Sequence, residues 1–359
     1  SSQAVDANDS LYFLQVTHQI TEFIDICDRY FQRELCPVFV HGMGFHFGHV
    51  DSSQFAGATD FREHAGLIVS GRLDSWGPAA MPSCPVIQIN TSTGFHSLVD
   101  LVADEAQLEQ LTAVILQQPV AAATLVQLLR HNADTSHTQG LFAESLAYST
   151  LQHSKGFKDW LASASRPAAH EDQEAPLLTT REANTITATL NRPAVHNAYS
   201  ASLKDALCSI LSTAHIDTSI EHIVLRGNGP SFCAGGDLAE FGSAQADAGV
   251  AHLSRTTRGA GALLSTYRGT TEALLHGACI GAGIELPAFC NRICAAEDTF
   301  FQLPEVAMGL VPGAGGTVSI THRTGRHLAA YMALSGIRVD AATALDWGLI
   351  DAISPTAQP

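Results

Sequence analysis

The pattern of apolar and polar positions divides the chain into a helical first half and a mixed second half. Between about residues 104 and 163, apolar residues recur at the three- and four-residue spacing of amphipathic helices. The first of these stretches has acidic residues in its first turn and the second begins at Pro119, both typical of helix starts. The predicted helices are DEAQLEQLTAVILQQ, VAAATLVQLLRH, LFAESLAYSTL and KGFKDWLAS.

The first 96 residues have a weaker pattern. A helix is predicted over about 11–34, and short strands over 64–73 and 84–90. Between them lies a glycine-rich loop that carries His41, His46 and His49. Histidine is a common metal ligand, but this spacing matches no standard zinc pattern. We therefore interpret it as a glycine loop with exposed histidines and predict no metal site.

A stretch rich in proline and charge, residues 166–177, is predicted to be a linker. After it, over 178–359, short strands such as ITATLN and EHIVLRGNG alternate with helices such as SASLKDALCSILSTA. This alternation is typical of the α/β class. The Gly281-x-Gly283 pair lacks the third glycine and the later acid of a dinucleotide-binding motif, so a nucleotide-binding fold is disfavoured.

Composition and net charge restrict the classes of partner that the protein is expected to bind. The chain has 35 acidic residues against 19 Lys and Arg, a formal charge of −16. That charge disfavours nucleic acid and anionic membranes as partners, and no apolar run approaches the ~20 residues that span a bilayer. The 8 cysteines form no CxxC pair, which suits reduced thiols. A cytoplasmic location is expected.

Two loops of small residues are candidates for backbone chemistry. Both Cys233–Asp237 and Gly281–Gly283 are predicted to lie where a strand passes into a helix. Small residues let a ligand approach the backbone, and the N–H groups at a helix start lack internal partners. Two such N–H groups that meet at one oxygen would form an oxyanion hole. Each loop taken alone is more simply a tight turn.

Two carboxylates, Glu285 and Glu305, lie in apolar surroundings. An ionised carboxylate is costly to bury without a partner. Two acids that face one pocket could share acid and base work, because each raises the pKa of the other. The residues alone leave open a simpler interpretation, in which one acid caps a helix or pairs with an arginine.

Four stretches together carry a family resemblance: LNRPAVHNAYSASL, SFCAGGDL, HGACIGAGIEL and PEVAMGLVPGAGGT. Their order and spacing resemble the crotonase superfamily, the enoyl-CoA hydratases and isomerases, from about 178 to 355. The resemblance implies a crotonase-like spiral of ββα repeats, an α/β fold, here with an extra mainly helical N-terminal region.

The resemblance also implies site residues. The backbone N–H groups of Gly236 and Ala282 would form the oxyanion hole, and Glu285 and Glu305 would be the catalytic pair. Gly313 would help to position a water molecule. The CoA pocket would be lined by the backbone around four residues, with Asp237 fixing its loop: His196, Ala198, Ala234 and Leu238.

The implied function is reversible addition of water to a 2-enoyl-CoA in fatty acid metabolism, by a trimer or hexamer. No metal or cofactor is expected beyond the coenzyme A of the substrate. A double-bond isomerase is the nearest alternative. A thioester hydrolase is less favoured, because VPGAGG lacks the acid expected after its proline, and a cofactor-free CoA oxygenase is more remote. A non-catalytic CoA-binding or scaffolding subunit is the alternative from another class.

Departures from the family concern fine geometry and chain order. Pro287 and Asn291 replace more usual residues in and after the apolar helix that is predicted to follow Gly281–Gly283. Residues 97–165 resemble the helices with which family members end, and Ser97–Asp100 echoes Gly348–Asp351. We hypothesise a permuted chain whose tail precedes its core. The alternative is an unrelated helical domain, and no role is predicted for 1–96.

The resemblance leaves the acyl group undefined. Residues 241–264 lie between the two oxyanion loops and are predicted to line the acyl pocket. Three arginines are candidates for offsetting the ligand's phosphates, although a solvated arginine face is an equal alternative: Arg255, Arg258 and Arg268.

Overall fold

A computed structural model describes residues 46–51, 64–70, 82–89, 98–243 and 247–354. The predicted helix over 11–34 and His41 lie outside them. The described residues from Phe47 onward belong to one compact unit. In these ranges no single helix is long and apolar enough to cross a membrane. Two consecutive helices, Ala106–Gln117 and Pro119–Asn132, would together be long and apolar enough, but they are bent by 107° relative to each other.

The first described part is a four-stranded sheet in the order β1-β2-β3-β4. A strand is confirmed within each predicted range, of which residues 71–73 and 90 lie outside the described residues, and β2, β3 and β4 run parallel. Residues 46–51 form a strand, so the predicted loop was wrong there: a neighbouring strand outweighs the weak strand preference of glycine. The bounds are β1 His46–Asp51, β2 His64–Ser70, β3 Val86–Ile89 and β4 Leu101–Ala103.

The four predicted helices follow and are confirmed. Asp104 and Ser136 begin the first and third helices with capping boxes, in which side chain and backbone satisfy each other's N–H groups. Pro119 occupies the first turn of the second helix, where its missing N–H has no internal partner to lose. The bounds are α1 Glu105–Gln117, α2 Pro119–Asn132, α3 His137–Gln152 and α4 Lys155–Ser163.

Residues 164–176 contain neither helix nor strand, and the α/β part then begins. Its main sheet has the order β13-β10-β8-β7-β6-β5, parallel except for the β5–β6 hairpin. A small sheet has the order β12-β11-β9. The strands are β5 Leu177–Glu182, β6 Thr185–Leu190, β7 His222–Gly227, β8 Thr270–Leu275, β9 Ala278–Ile280, β10 Arg292–Ala295, β11 Phe300–Gln302, β12 Val339–Asp340 and β13 Ala352–Ile353.

Helices connect these strands and contribute buried leucines and alanines to the core between them. The mixed α/β class predicted from the alternation is confirmed. The helices are α5 Ala201–Ile216, α6 Ala248–Thr257, α7 Ala260–Ser265, α8 Ala282–Glu285, α9 Gly316–Thr324, α10 Arg326–Ser335 and α11 Ala341–Asp346.

Two local expectations were wrong. The helix expected through Pro287 ends at Glu285, and Pro287 begins a separate 3₁₀ turn, Pro287–Phe289, because a proline has no N–H to continue an α-helix. Cys233–Asp237 is followed by turns rather than by a helix. The strand-to-helix junction is confirmed only at Gly281–Gly283.

A buried aspartate joins the helical part to the α/β part. Asp100 is 1% exposed and accepts the N–H of Val86 at 2.8 Å. Arg130 of α2 donates Nε to its Oδ1 at 2.8 Å, and Arg326 of α10 donates to the same oxygen at 3.2 Å. The two halves of the described chain therefore share one buried ion cluster.

A similar arrangement occurs at the other end of the chain. Asp351 accepts the N–H of Ile293 on β10 at 2.7 Å and pairs with Arg323 of α9 at 3.2 Å. In both places an aspartate receives a strand N–H and is bound by an arginine from a neighbouring helix. The likeness of the two sequence segments that end at Asp100 and Asp351 therefore extends to the hydrogen bonds of these aspartates.

We expect Asp100→Asn to lower the free energy of unfolding by about 3–5 kcal/mol, because it leaves two arginines beside a neutral group. Denaturant unfolding measures the change. Asp159→Asn is the control, since Asp159 and its partner Lys155 are both exposed and such pairs contribute little. Equal small effects for the two variants would contradict the role given to Asp100.

Candidate active site

The two small-residue loops are joined side by side. Cys233 and Cys279 form a parallel bridge, in which Cys233 donates to Ala278 O at 3.2 Å and Ile280 donates to Cys233 O at 3.0 Å. A Cβ on Gly283 would lie 2.1 Å from Cys233 O. Only glycine therefore permits this approach, which brings the start of α8 against the Cys233–Asp237 loop.

Each loop leaves one N–H group without a protein acceptor among the described residues. Gly236 forms a parallel bridge with Tyr199, which uses the carbonyl of Gly235 and the N–H of Asp237 and directs the N–H of Gly236 to the other side. Ala282 is the first residue of α8, where N–H groups have no intrahelical partner. Both residues line one cavity.

Glu285 is fixed by backbone hydrogen bonds. It is 2% exposed, and its Oε2 accepts the N–H of Ala314 at 2.7 Å and of Gly316 at 2.9 Å. Burial raises the pKa of Glu285 well above its ordinary value, and the charges of Glu305 and Glu144 add to the rise. The two N–H bonds oppose that rise because they stabilise the charged form.

Glu305 lies opposite with fewer contacts. Its Oε2 is buried and has no hydrogen-bond partner, and burial raises its pKa to about 8. A Cβ on Gly281, whose φ is +50°, would lie 2.5 Å from Glu305 Oε1 and 3.6 Å from Glu285 Oε1. Both carboxylates therefore converge on the small space beside Gly281.

The cavity between these groups has a volume of about 560 Å³. Of the predicted site residues, the oxyanion candidates, both glutamates, Asp237 and Gly313 line it, and the other coenzyme A candidates do not. Parts of the predicted acyl region also form its wall. The residues from that region are Phe241, Ser243, Arg255, Thr256 and 258–262.

The candidates for coenzyme A binding form a neighbouring cluster. Ala234 donates its N–H to His196 O at 2.9 Å. Asp237 accepts from Arg192 at 3.0 Å, and Arg192 also bonds the carbonyl of Ala198. The structure therefore places His196, Ala198 and Ala234 together, with Asp237 tied into the same loops.

The three candidate arginines are placed differently. Arg258 is exposed at the cavity wall. Arg255 points inward, where it lies over the Tyr148 ring at 4.1 Å and donates to Gly313 O. Arg268 donates to carbonyls at the end of α5, including Asp217 O at 2.7 Å. Its guanidinium is thus bound to backbone carbonyls and does not line the cavity, and its phosphate role stays a prediction.

One wall of the cavity could not be predicted from the sequence. Helix α3 contributes Glu144, which is 2% exposed, and Tyr148, whose pKa burial raises to about 12. A Cβ on Gly313 would lie 2.3 Å from the Tyr148 ring. The available signal was an acid inside the apolar stretch GLFAESLAYSTL, which nothing in the sequence connects to residues beyond 280.

Two other kinds of chemistry have little support in the described ranges. No group of three His, Cys, Asp or Glu side chains there is placed to hold a metal ion. Cys233 lies beside the oxyanion loop, but burial raises the pKa of its thiol to about 12, so it is a poor nucleophile at neutral pH.

The second half of the chain is similar to known proteins. The Enoyl-CoA hydratase/isomerase family model matches residues 180–358. The 2,3-dehydroadipyl-CoA hydratase of Escherichia coli is 37% identical over 180 residues, which are 50% of this chain and 69% of that protein. The mevalonyl-coenzyme A hydratase of Beauveria bassiana is 34% identical over 197 residues, which are 53% and 69% of the two chains.

Among solved structures, an enoyl-CoA hydratase/isomerase from Marinobacter aquaeolei is 29% identical, with a TM-score of 0.46 over 50% of this chain and 70% of that one. The family match and the identity to hydratases together are decisive: the chain belongs to the enoyl-CoA hydratase/isomerase family, the crotonase superfamily. It is thus a crotonase-type enzyme by family.

We expect Glu305→Gln to stabilise the fold at alkaline pH. A carboxyl group whose pKa is raised from 4.5 to about 8 keeps its proton in the folded state after the unfolded chain has lost it. Stability therefore falls as pH rises from about 4.5 to 8, and removing the group removes this loss. Urea unfolding should show no gain at pH 4 and a gain on the order of 1–4 kcal/mol at pH 8.

The control is Glu109→Gln, a substitution at an exposed position on α1, which should change neither value. A gain for Glu305→Gln that is equal at both pH values would show that the carboxyl group titrates normally.

Proposed function

We propose that the protein is an enoyl-CoA hydratase that adds water reversibly to a 2-enoyl-CoA thioester. The observation that carries the proposal is the convergence of Glu285 and Glu305 beside Gly281, in a cavity that Gly236 and Ala282 also line. This is the combination that the hydration of a conjugated thioester requires.

The thioester carbonyl oxygen would accept hydrogen bonds from the Gly236 and Ala282 N–H groups. As water adds at Cβ, electron density moves to this oxygen, and fixed donors stabilise the enolate that develops. Backbone donors suit the task because the bridges around Gly236 and the turn at Ala282 hold them in place before the substrate arrives.

The two carboxyl groups would carry the proton transfers. Because both are buried and close, they titrate as a coupled pair, in which the charge of one carboxylate opposes ionisation of the other. Two N–H bonds favour the charged form at Glu285, whereas Glu305 Oε2 has no donor. Glu285 would therefore take a proton from water as the O–Cβ bond forms, and Glu305 would deliver one to Cα.

Isomerisation of the double bond is the second candidate, because the unpartnered Glu305 could move a proton from one carbon to another without water. The inward position of Arg255 also makes an acyl chain that ends in a carboxylate worth testing. The E. coli relative is named for such a substrate, 2,3-dehydroadipyl-CoA.

The test follows the loss of ultraviolet absorbance of crotonyl-CoA and of 2,3-dehydroadipyl-CoA. We expect turnover by the wild type and a loss of kcat of about 10²–10⁴-fold in Glu285→Gln and in Glu305→Gln, the range found for removal of an acid or base group. Calorimetry with coenzyme A should show unchanged binding in both variants, and Glu109→Gln should retain full activity.

Each alternative has its own outcome. Conversion of a 3-enoyl-CoA without hydration would favour the isomerase. Coenzyme A binding without turnover of any thioester would favour a non-catalytic subunit. If coenzyme A does not bind, the assignment of the site is wrong.

We also propose that residues 97–165 take the place of the helices with which family members end. Support comes from the shared arrangement around Asp100 and Asp351 and from the hydrogen bonds of Asn132 on α2 to Thr317 on α9 at 3.0 and 3.2 Å. An experimental structure in which α1–α4 do not superpose on a relative's final helices would refute this.

A further inference from the structure

Two carboxylates divide four consecutive backbone N–H groups at the start of α9. In residues 314–317, the first and third N–H groups bind Glu285. The second and fourth bind Glu144: Gly315 donates to Oε1 at 2.8 Å and Thr317 donates to Oε2 at 3.1 Å. The turn that fixes Glu285 is thus itself fixed by a carboxylate from α3.

The contacts of Glu144 favour its ionised form. The Thr317 hydroxyl adds a third hydrogen bond at 2.6 Å, and Arg255 lies 3.9 Å from Oε1. Every one of these neighbours is a donor, and an ionised carboxylate is purely an acceptor. Burial raises the pKa of Glu144, while the hydrogen bonds and Arg255 oppose the rise.

We propose that Glu144 is a positioning residue for the reaction proposed above, because it holds the turn that holds Glu285. The inference rests on that proposed function. It also extends the site to a helix, His137–Gln152, that lies outside the residues matching the family.

Geometry gives the first consequence. Without the Glu144 carboxylate, the N–H groups of Gly315 and Thr317 stay buried and lose their acceptor, which is costly. The turn would then shift, and with it the two N–H groups that fix Glu285. A displacement of about 1 Å at a reacting group can reduce a rate about 10²-fold.

Loss of the Glu144 charge would also change the pKa values of the catalytic candidates. The groups that face the pair Glu285 and Glu305 are Glu144 and Tyr148 from α3, Arg255 from α6 and the neutral thiol of Cys233. The negative charge of Glu144 raises the pKa of both glutamates. Removing that charge should therefore lower both.

The experiment compares Glu144→Gln and Glu144→Asp in the full-length protein. The first removes the charge and one acceptor oxygen; the second keeps the charge and shortens the reach by one methylene. Both should reduce kcat for the thioester about 10–100-fold and change KM less than threefold. Only Glu144→Gln should move the alkaline limb of the kcat profile, to lower pH by about half a unit to one unit.

A double-mutant cycle tests whether Glu144 acts through Glu285. If it does, Glu144→Gln combined with Glu285→Gln should be no slower than Glu285→Gln alone. The proposal would be overturned if the two substitutions reduced kcat by independent factors that multiply in the double variant. It would also be overturned if Glu144→Gln left kcat or the alkaline limb of the pH profile unchanged. If Glu144→Gln does not fold, a loss of kcat in Glu144→Asp with an unmoved pH limb supports it, and full activity in Glu144→Asp overturns it.

Infrared titration of the carboxyl groups separates this inference from the proposed function, because it needs no substrate. Glu144→Gln should move the high-pH titration of the remaining buried carboxyl groups to lower pH. The exposed Glu109→Gln should leave it unchanged. That shift in a protein that hydrates no thioester would support the inference and reject the function. Turnover of a thioester without the shift would support the proposed function and reject the inference about Glu144.

Discussion

The candidate active site depends on which groups accept hydrogen bonds from four backbone N–H groups at the start of α9. Residues 314–317 are buried or half-buried and present their N–H groups before α9 can use them internally. Glu285 and Glu144 accept two each. Anionic acceptors suit this position because the helix dipole is positive there. The hydrogen bonds therefore offset part of the free-energy cost of burying the two carboxylates. They also hold the residues that form one end of the cavity.

The glycines around this point follow from that constraint. Gly283 permits the contact with the Cys233 carbonyl, and Gly316 leaves space for Glu285, whose Cγ would lie 2.6 Å from an added Cβ. Gly281 similarly leaves the space into which both catalytic candidates point. The glycines therefore allow the backbone to approach both carboxylates closely.

Local features were predictable from the sequence because their causes are local. Asp104, Pro119 and Ser136 begin helices through contacts within a few residues, and the alternation of short strands gave the α/β class. The unusual burial of Glu285 and Glu305 was visible as two acids inside small, apolar stretches. The family resemblance then supplied the roles of these residues as predictions, which activity measurements have to test.

Features that depend on distant partners were not predictable. Asp100 looks like an ordinary turn residue until Arg326 reaches it from α10. The sequence does not show that Arg268 donates to the carbonyls at the end of α5. Strand β1 depends on its neighbour in the sheet. Glu144 is the clearest case, because all of its hydrogen bonds come from residues 315–317, which are far away in the sequence.

The separation of Glu144 from its partners also affects how the chain acquires its structure. The hydrogen bonds that Glu144 receives from Gly315 and Thr317 span 171 and 173 residues. Contacts of such length form late, because a long loop must close before they contribute. During synthesis α3 leaves the ribosome well before the turn that neutralises its buried acid exists. Until then this carboxylate has to stay in water, so the cavity cannot close around it before residues 315–317 have been made.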